Sequence, residues 1–202
     1  MVLVFASNNA HKLEEVRGIM PEGIEVLSLK DIGFEAEIEE TGTTLEENSA
    51  IKAEAVYHWI LDNGHLTLDG VFADDTGLEI DALGGKPGVY TARWAGEPAA
   101  NRKKALAELK GKENRAAQFR TVITLIRLQD GAERLQDATL QVEGIVRGRI
   151  ATEEYGQGGF GYDPVFIPEG YDKTFGELPA AIKNSISHRA RALQALVEEI
   201  RD

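Results

Sequence analysis

Between Phe119 and Leu128 the chain is β-branched and apolar on both faces, and Arg120 and Arg127 are too far apart to mark a regular solvent face. A strand of that composition is buried on both sides, so it belongs in the middle of a sheet with elements packed on each face. The segments around it must supply that cover. Val2–Ala6 reads as a short buried strand. Asn8 or Asn9 can cap a helix from about Ala10 to Met20. Ile24–Ser28 reads as a second strand. Thr44-Leu45-Glu46-Glu47 fits a capping box. The helix it opens should run to about Leu61 and end at Asn63-Gly64, with Leu45, Ala53, Val56 and Ile60 as its buried stripe.

Val71–Asp74 reads as a strand leading into a turn at Asp75-Thr76-Gly77. Ala99–Lys110 is helical by pattern. Asp130-Gly131 is a hairpin turn, returning through roughly Glu133–Arg147. Gly156–Asp163 is a glycine-rich loop, and His188–Ile200 is a final helix with Ser187 as cap. Strands and helices alternate, yet a hairpin is present. The expected fold is therefore α/β with a mixed sheet, not a purely parallel repeat. No linker, repeat or low-complexity stretch interrupts the 202 residues, which read as a single domain over 1–202.

Charge and composition exclude several functions. The formal net charge is −12 and no dense basic run is present, which argues against general nucleic-acid binding. A polyanionic substrate would meet a repelling field except where local cations, backbone N–H groups or a divalent metal reverse it. The absence of cysteine excludes disulfides, thiol catalysis and thiolate metal sites, and fits a cytoplasmic protein. No apolar run approaches the ~18–20 residues of a membrane span. The start, Met1-Val2-Leu3-Val4-Phe5-Ala6, lacks the basic region of a signal peptide.

Five local exceptions to this acidic background carry possible chemistry. Ser7, Asn8, Asn9, Ala10, His11 and Lys12 sit where a strand ends and a helix begins, a position whose free N–H groups suit phosphate. From this segment alone an ordinary capped helix with a solvated lysine is the better reading, since many helices start this way. Asn48 and Lys52 lie four apart and share a helix face, while Glu40 is an acidic residue just before a Thr-Gly turn. Asp74 and Asp75 are adjacent carboxylates after a buried strand, so their side chains should point to opposite faces. A hard cation such as Mg²⁺ is a natural partner for a buried carboxylate, although backbone N–H groups could also satisfy one. In the loop at 156–163, glycines permit close backbone approach and Phe160 could stack on a planar base. Lys183, His188 and Arg189 place cations before and at a helix start, where positive charge is disfavoured unless an anion or carbonyl-rich group is bound. His11, His58 and His65 show no metal-ligand spacing. Trp59 reads as core, and Trp94 as core or interface.

Taken together these motifs resemble the inosine triphosphate pyrophosphatase family, also described as XTP/dITP diphosphatases. The resemblance runs almost end to end: Ser7-x-Asn9-x-x-Lys12, Glu40-Thr41-Gly42-x-Thr44-x-x-x-Asn48-x-x-x-Lys52-Ala53, and Ala73-Asp74-Asp75-Thr76-Gly77-Leu78. It continues through Asp81-Ala82-Leu83-Gly84-Gly85-x-Pro87-Gly88-Val89-Tyr90, Gly158-Gly159-Phe160-Gly161-Tyr162-Asp163-Pro164 and Ser185-x-Ser187-His188-Arg189. It implies an elongated mixed sheet flanked by helices, two lobes with a central substrate cleft, a homodimer and a requirement for Mg²⁺. It further implies that Asp75 acts as base for water and contacts metal, with Glu40 as second metal ligand. Ser7, Asn9, Lys12 and Lys52 would hold a triphosphate and Thr76 would contact substrate. Phe160, Gly161, Tyr162 and Asp163, with Lys183, His188 and Arg189, would form the base pocket. The implied reaction is hydrolysis of ITP, dITP or XTP to monophosphate and pyrophosphate. A relative acting on modified pyrimidine or methylated guanosine triphosphates, and a nucleotide sensor without catalysis, are the rival readings. Departures are small: Ser49 stands where alanine is frequent, Thr76 where serine is, and Trp94 where Tyr or Phe is.

Overall fold

The apolar amino terminus forms β1 (Val2–Phe5), and residues Leu3, Val4 and Phe5 are all buried. The computed structural model describes residues 1–64, 67–128 and 138–201. β1 pairs in parallel with β2 (Glu25–Leu27) and with β3 (Gly70–Ile80). Parallel neighbours need long crossovers, and two helices provide them: α1 (Ala10–Ile19) between β1 and β2, and α2 (Leu45–Asn63) between β2 and β3. Next come β4 (Lys86–Gly88), α3 (Pro98–Glu108), β5 (Ala116–Arg127), β6 (Thr139–Ile150), β7 (Phe166–Pro168), α4 (Ala180–Ile186) and α5 (His188–Arg201). Among the described residues the sheet has seven strands, in the order β2-β1-β3-β5-β6-β7 with β4 paired to β3. The β3–β4 and β6–β7 pairs are antiparallel, so the sheet is mixed, as the sequence predicts.

The chain divides into two compact units. The first comprises Met1–Asp75, Val122–Glu143 and Ala192–Asp202; the second comprises Thr76–Thr121 and Gly144–Arg191. β3, β5, β6 and α5 each contribute residues to both. In the first unit β1, β3 and β5 are buried on both faces. Val4, Val71, Ala73 and Ile126 enter one apolar cluster with Ala53, Val56 and Ile60 of α2. Leu3, Phe5, Phe72, Ile123 and Leu125 enter another with Val16 of α1 and Leu193 and Leu196 of α5. The alternation follows the period of two that strand geometry imposes. The second unit has its own core, in which Leu78, Ile80, Phe119, Val165, Phe166 and Phe175 are buried together.

Two expectations need correction. Asp75-Thr76-Gly77 is not a turn: β3 continues through it to Ile80. The cause lies downstream, where Leu78 and Ile80 are fully buried and Leu78, Glu79 and Ile80 pair with Gly88, Pro87 and Lys86. Burial and ladder pairing override the turn-forming composition. The chain reverses instead at Gly84 and Gly85, both at positive φ (65° and 86°), which glycine adopts without steric cost. Secondly, Lys183 does precede the last helix, which starts at His188, but it stands in the last turn of α4, a short helix missed in the sequence. A cation is favourable at a helix carboxyl end, so the unfavourable placement inferred for Lys183 does not arise. The Asp130-Gly131 hairpin turn and the Glu133 start of the return strand lie outside the described residues, as does His65. Among the described residues no helix is long and apolar enough to cross a membrane.

The capping box is complete. Thr44 Oγ1 accepts the Glu47 N–H at 3.1 Å, and a Glu47 carboxylate oxygen accepts the Thr43 and Thr44 N–H groups at 2.6 and 3.3 Å. The N–H bond from Thr43, then its hydroxyl, hold the Glu47 carboxyl below its usual range. Its support of the helix is thus full at neutral pH and fades as pH falls through that lowered value. Thr44→Ala should cost about 1 kcal/mol and lower the melting temperature by roughly 2–4 °C, as differential scanning calorimetry will measure.

Candidate active site

The first group of side chains belongs to the first unit. At the β1–α1 junction, Ser7 Oγ accepts the Asn9 N–H at 3.2 Å and Asn9 Oδ1 accepts the Lys12 N–H at 3.2 Å. Asn9 is therefore the cap residue of α1, and Asn8, Ala10 and His11 are exposed beside it. Lys12 reaches β3, where its Nζ lies 3.0 Å from Asp74 Oδ1. Asp74 is 2% exposed. This ion pair ties the first turn of α1 to β3, the strand beside β1.

Asp75, one residue on, faces a different lysine. Lys52 Nζ lies 2.6 Å from Glu40 Oε1 and 3.5 Å from Asp75 Oδ1. The period of two along β3 explains the division: Asp74 pairs with Lys12 and Asp75 with Lys52. Burial pushes the Asp75 carboxyl above its usual range. Lys52 and Lys12 oppose that shift, while Glu40 and Asp74 add to it. Burial alone would lower the Lys52 ammonium, but Asp75, Asp74 and Glu40 together outweigh it and hold Lys52 above its ordinary value.

One oxygen of this cluster, Asp75 Oδ2, is buried and has no hydrogen-bond partner. A buried carboxylate oxygen without a partner carries the full cost of its desolvation. Glu40 and Asp75 share one cation, so their oxygens converge on a common point. Hard oxygen donors of this kind suit Mg²⁺. Among the described residues no group of three His, Cys, Asp or Glu side chains is placed to hold a metal. Two carboxylates do fit the habit of Mg²⁺, which usually takes one or two protein carboxylates and completes its shell with waters and substrate phosphates.

The second group belongs to the second unit. Lys183 Nζ lies 2.6 Å from Asp163 Oδ2, and both side chains are almost wholly buried. The same Asp163 oxygen accepts the Phe160 N–H at 2.9 Å. Lys183 also stands over the Phe160 ring at 4.6 Å, and the Arg189 guanidinium lies 5.9 Å from that ring. One carboxylate thus fixes the lysine and the backbone of the aromatic residue together. Gly159 has to be glycine here: its φ is +66°, and an added Cβ would stand 2.0 Å from Asp163 Oδ2. Gly161 is held by Arg102, whose Nη1 donates to its carbonyl at 2.9 Å. Arg102 also forms a very close ion pair with Glu154.

Around this group, Arg189 Nη2 lies 3.4 Å from Thr76 Oγ1, which is 2.8 Å from Thr121 Oγ1. His188 stacks on Phe119 at 4.6 Å and 21°, and Ser187 Oγ accepts the Ala190 N–H at 3.1 Å in the first turn of α5. Tyr162 is buried and its hydroxyl donates to the Thr91 carbonyl at 2.7 Å; burial pushes its ionisation far above the usual phenol value. Its polar end is committed to the framework.

The site residues expected from sequence therefore fall into two sets. Ser7–Lys12, Glu40, Lys52 and Asp75 belong to the first unit, and Thr76, Phe160–Asp163, Lys183, His188 and Arg189 to the second. Sequence reasoning missed the pairing of Asp74 with Lys12, and the roles of Phe119, Thr121 and Arg102 in holding the second set. A buried threonine on a central strand has a visible signal, since Thr121 and Thr124 are hydroxyl-bearing residues within a largely apolar strand. Arg102 has none: it reads as one more charge on a surface helix.

These features define an α/β protein with a mixed sheet, one carboxylate–lysine cluster, and one aromatic group flanked by buried cations. The chain belongs to the Ham1 family, whose model matches residues 3–199. It is 49% identical over 199 residues to a protein of Bacillus subtilis named dITP/XTP pyrophosphatase, covering 96% of this chain and 93% of that protein. A protein of Flavobacterium johnsoniae with the same name is 46% identical over 201 residues, covering 98% and 97%. Among solved structures, a HAM1 protein from Coxiella burnetii superposes with a TM-score of 0.82 at 36% identity, covering 100% of this chain and 98% of that one. The Ham1 protein of Staphylococcus aureus gives 0.81 at 37% identity, with the same coverage.

Removing one partner of the buried Lys183–Asp163 pair leaves an uncompensated charge. Lys183→Met should destabilise by roughly 3–5 kcal/mol, whereas Lys183→Met with Asp163→Asn should recover most of that loss. Urea denaturation of the two variants measures the difference.

Proposed function

We propose that this chain, acting as a single domain, hydrolyses ITP, dITP and XTP to the monophosphate and pyrophosphate. The reaction would need Mg²⁺ and would clear deaminated purines from the cytoplasmic nucleotide pool, with the chain as a homodimer. The names borne by relatives at 46% and 49% identity support the reaction. The observation that carries the chemistry is Asp75: a mostly buried carboxylate whose Oδ2 is buried without a hydrogen-bond partner, beside Glu40 and Lys52.

Glu40 and Asp75 would hold Mg²⁺, which when bound supplies positive charge against the phosphate oxygens. The remaining work falls to the chain. Lys12, Lys52 and the N–H groups at the start of α1 hold the triphosphate, with Ser7 and Asn9 adding hydrogen bonds. Asp75 Oδ2 accepts the proton of a water aimed in line at the α-phosphorus. The burial that raises the Asp75 carboxyl also makes it a better proton acceptor. The bond from the α-phosphorus to the bridging oxygen breaks, and pyrophosphate leaves against the charge of Lys12 and Lys52.

Base selection has a physical logic in the second unit. The 6-keto group of inosine or xanthosine is an acceptor, whereas adenosine presents an amino donor at the same position. A base stacked on Phe160 would meet Lys183, His188 and Arg189, all of which can donate. An amino donor there would leave buried donors unpaired, a cost that can separate substrates strongly. Tyr162 shapes this region through its ring, and Thr76 contributes its hydroxyl.

Pyrophosphate release from ITP, dITP, XTP and ATP, with Mg²⁺ and with a chelator, tests the proposal. ITP, dITP and XTP should be cleaved far faster than ATP, and the chelator should stop all turnover. Asp75→Asn should keep the fold and lose roughly 10²–10⁴-fold in rate. Wild-type turnover in that variant would remove Asp75 from the role, and equal cleavage of ATP would remove the base assignment.

A further inference from the structure

Asn48 is 1% exposed, and nothing in the proposed reaction uses it. It lies on the second turn of α2, four residues before Lys52, so the two side chains share one helix face. Its Oδ1 accepts the Gly42 N–H at 2.8 Å. Gly42 stands two residues after Glu40, whose carboxylate is gripped by Lys52 at 2.6 Å. One helix thus holds the same loop at two points: Asn48 by the backbone and Lys52 by the side chain.

The contact is close enough to dictate the residue at position 42. A Cβ on Gly42 would stand 2.6 Å from Asn48 Oδ1 and 2.7 Å from Glu47 Cβ. The glycine is there for close approach, not for an unusual φ. The next residues are fixed by the same turn of helix, since Glu47 takes the Thr43 and Thr44 N–H groups. The helix itself is anchored just beside Asn48. Ser49 Oγ lies 2.7 Å from Thr124 Oγ1 on β5, and Gln141 Nε2 donates to that threonine oxygen at 2.9 Å and to the Glu46 carbonyl at 3.1 Å. A rigid chain of contacts therefore runs from β5 through α2 to the Glu40 loop.

We infer that Asn48 is a positioning residue that sets the place of Glu40 through the Gly42 N–H, so that Glu40 and Asp75 present their oxygens together. The inference rests on the reading of Glu40 as a metal ligand. Residues that orient a ligand from behind typically change metal affinity or activity by roughly 10–100-fold when removed.

The test compares wild type, Asn48→Ala and Asn48→Asp. It measures the Mg²⁺ dependence of ITP cleavage, KM for ITP, thermal stability, and Mn²⁺ binding by paramagnetic resonance with an α,β-imido analogue of ITP bound. Asn48→Ala should raise the metal concentration needed for half-maximal rate, and weaken Mn²⁺ binding, by roughly 10-fold or more, with a much smaller change in KM. Asn48→Asp keeps the acceptor oxygen and should restore most of the metal affinity. A folded Asn48→Ala with wild-type metal dependence and Mn²⁺ binding overturns the inference while leaving the proposed reaction intact. Should Asn48→Ala not fold, Gly42→Ala forces the same contact apart: the same loss supports the inference and unchanged metal binding overturns it. Failure of the wild-type protein itself to cleave ITP or bind Mn²⁺ overturns the functional reading, and the role of Asn48 falls with it.

Discussion

The ammonium of Lys52 is the interaction on which the first group of side chains depends. It lies 2.6 Å from Glu40 and 3.5 Å from Asp75, in a chain whose formal net charge is −12. Without it, two carboxylates would be drawn together against their own repulsion and against the cost of desolvation. Lys12 does the same for Asp74 at 3.0 Å. Two lysines thus permit three acids to be gathered on and beside one strand. The arrangement leaves Asp75 Oδ2 buried without a partner, a cost that stability alone gives no reason to retain. Such unpaired buried groups are the places where a fold gives up stability for chemistry.

The second unit solves a different problem with similar means. There a cation, Lys183, is buried against Asp163, and the same carboxylate oxygen fixes the Phe160 backbone. Arg189 is 2% exposed and stands near Thr76 and the Phe160 ring. Buried ion pairs seldom stabilise a protein more than a well-packed apolar pair of the same volume. What this pair supplies is order: a lysine held over an aromatic ring at 4.6 Å, with its donors directed by a fixed carboxylate. A flat, acceptor-rich base is the kind of partner that such a fixed set of donors recognises.

Much of the fold is legible in the sequence because burial leaves periodic marks. The two-sided apolar strand at 119–128, the stripe of α2 and its capping box all appear where the pattern places them. The turn expected at Asp75-Thr76-Gly77 fails because local composition is weaker than the burial of Leu78 and Ile80 further along. α4, β4 and β7 are too short to show a period. For the site, the motifs reveal which residues matter but not which partner each takes. That Asp74 serves Lys12 and Asp75 serves Lys52 follows from strand alternation only once the neighbours of β3 are known. The grip of Asn48 on Gly42 depends on a backbone N–H, which leaves no trace in residue type beyond the glycine itself.

The central claim is that water attacks the α-phosphorus of a deaminated purine triphosphate. A single turnover of ITP in water enriched in ¹⁸O, with mass analysis of both products, tests it most directly. The account predicts one labelled oxygen in the inosine monophosphate and none in the pyrophosphate. Label in pyrophosphate, or release of orthophosphate with a diphosphate product, would place the attack at another phosphorus and contradict it.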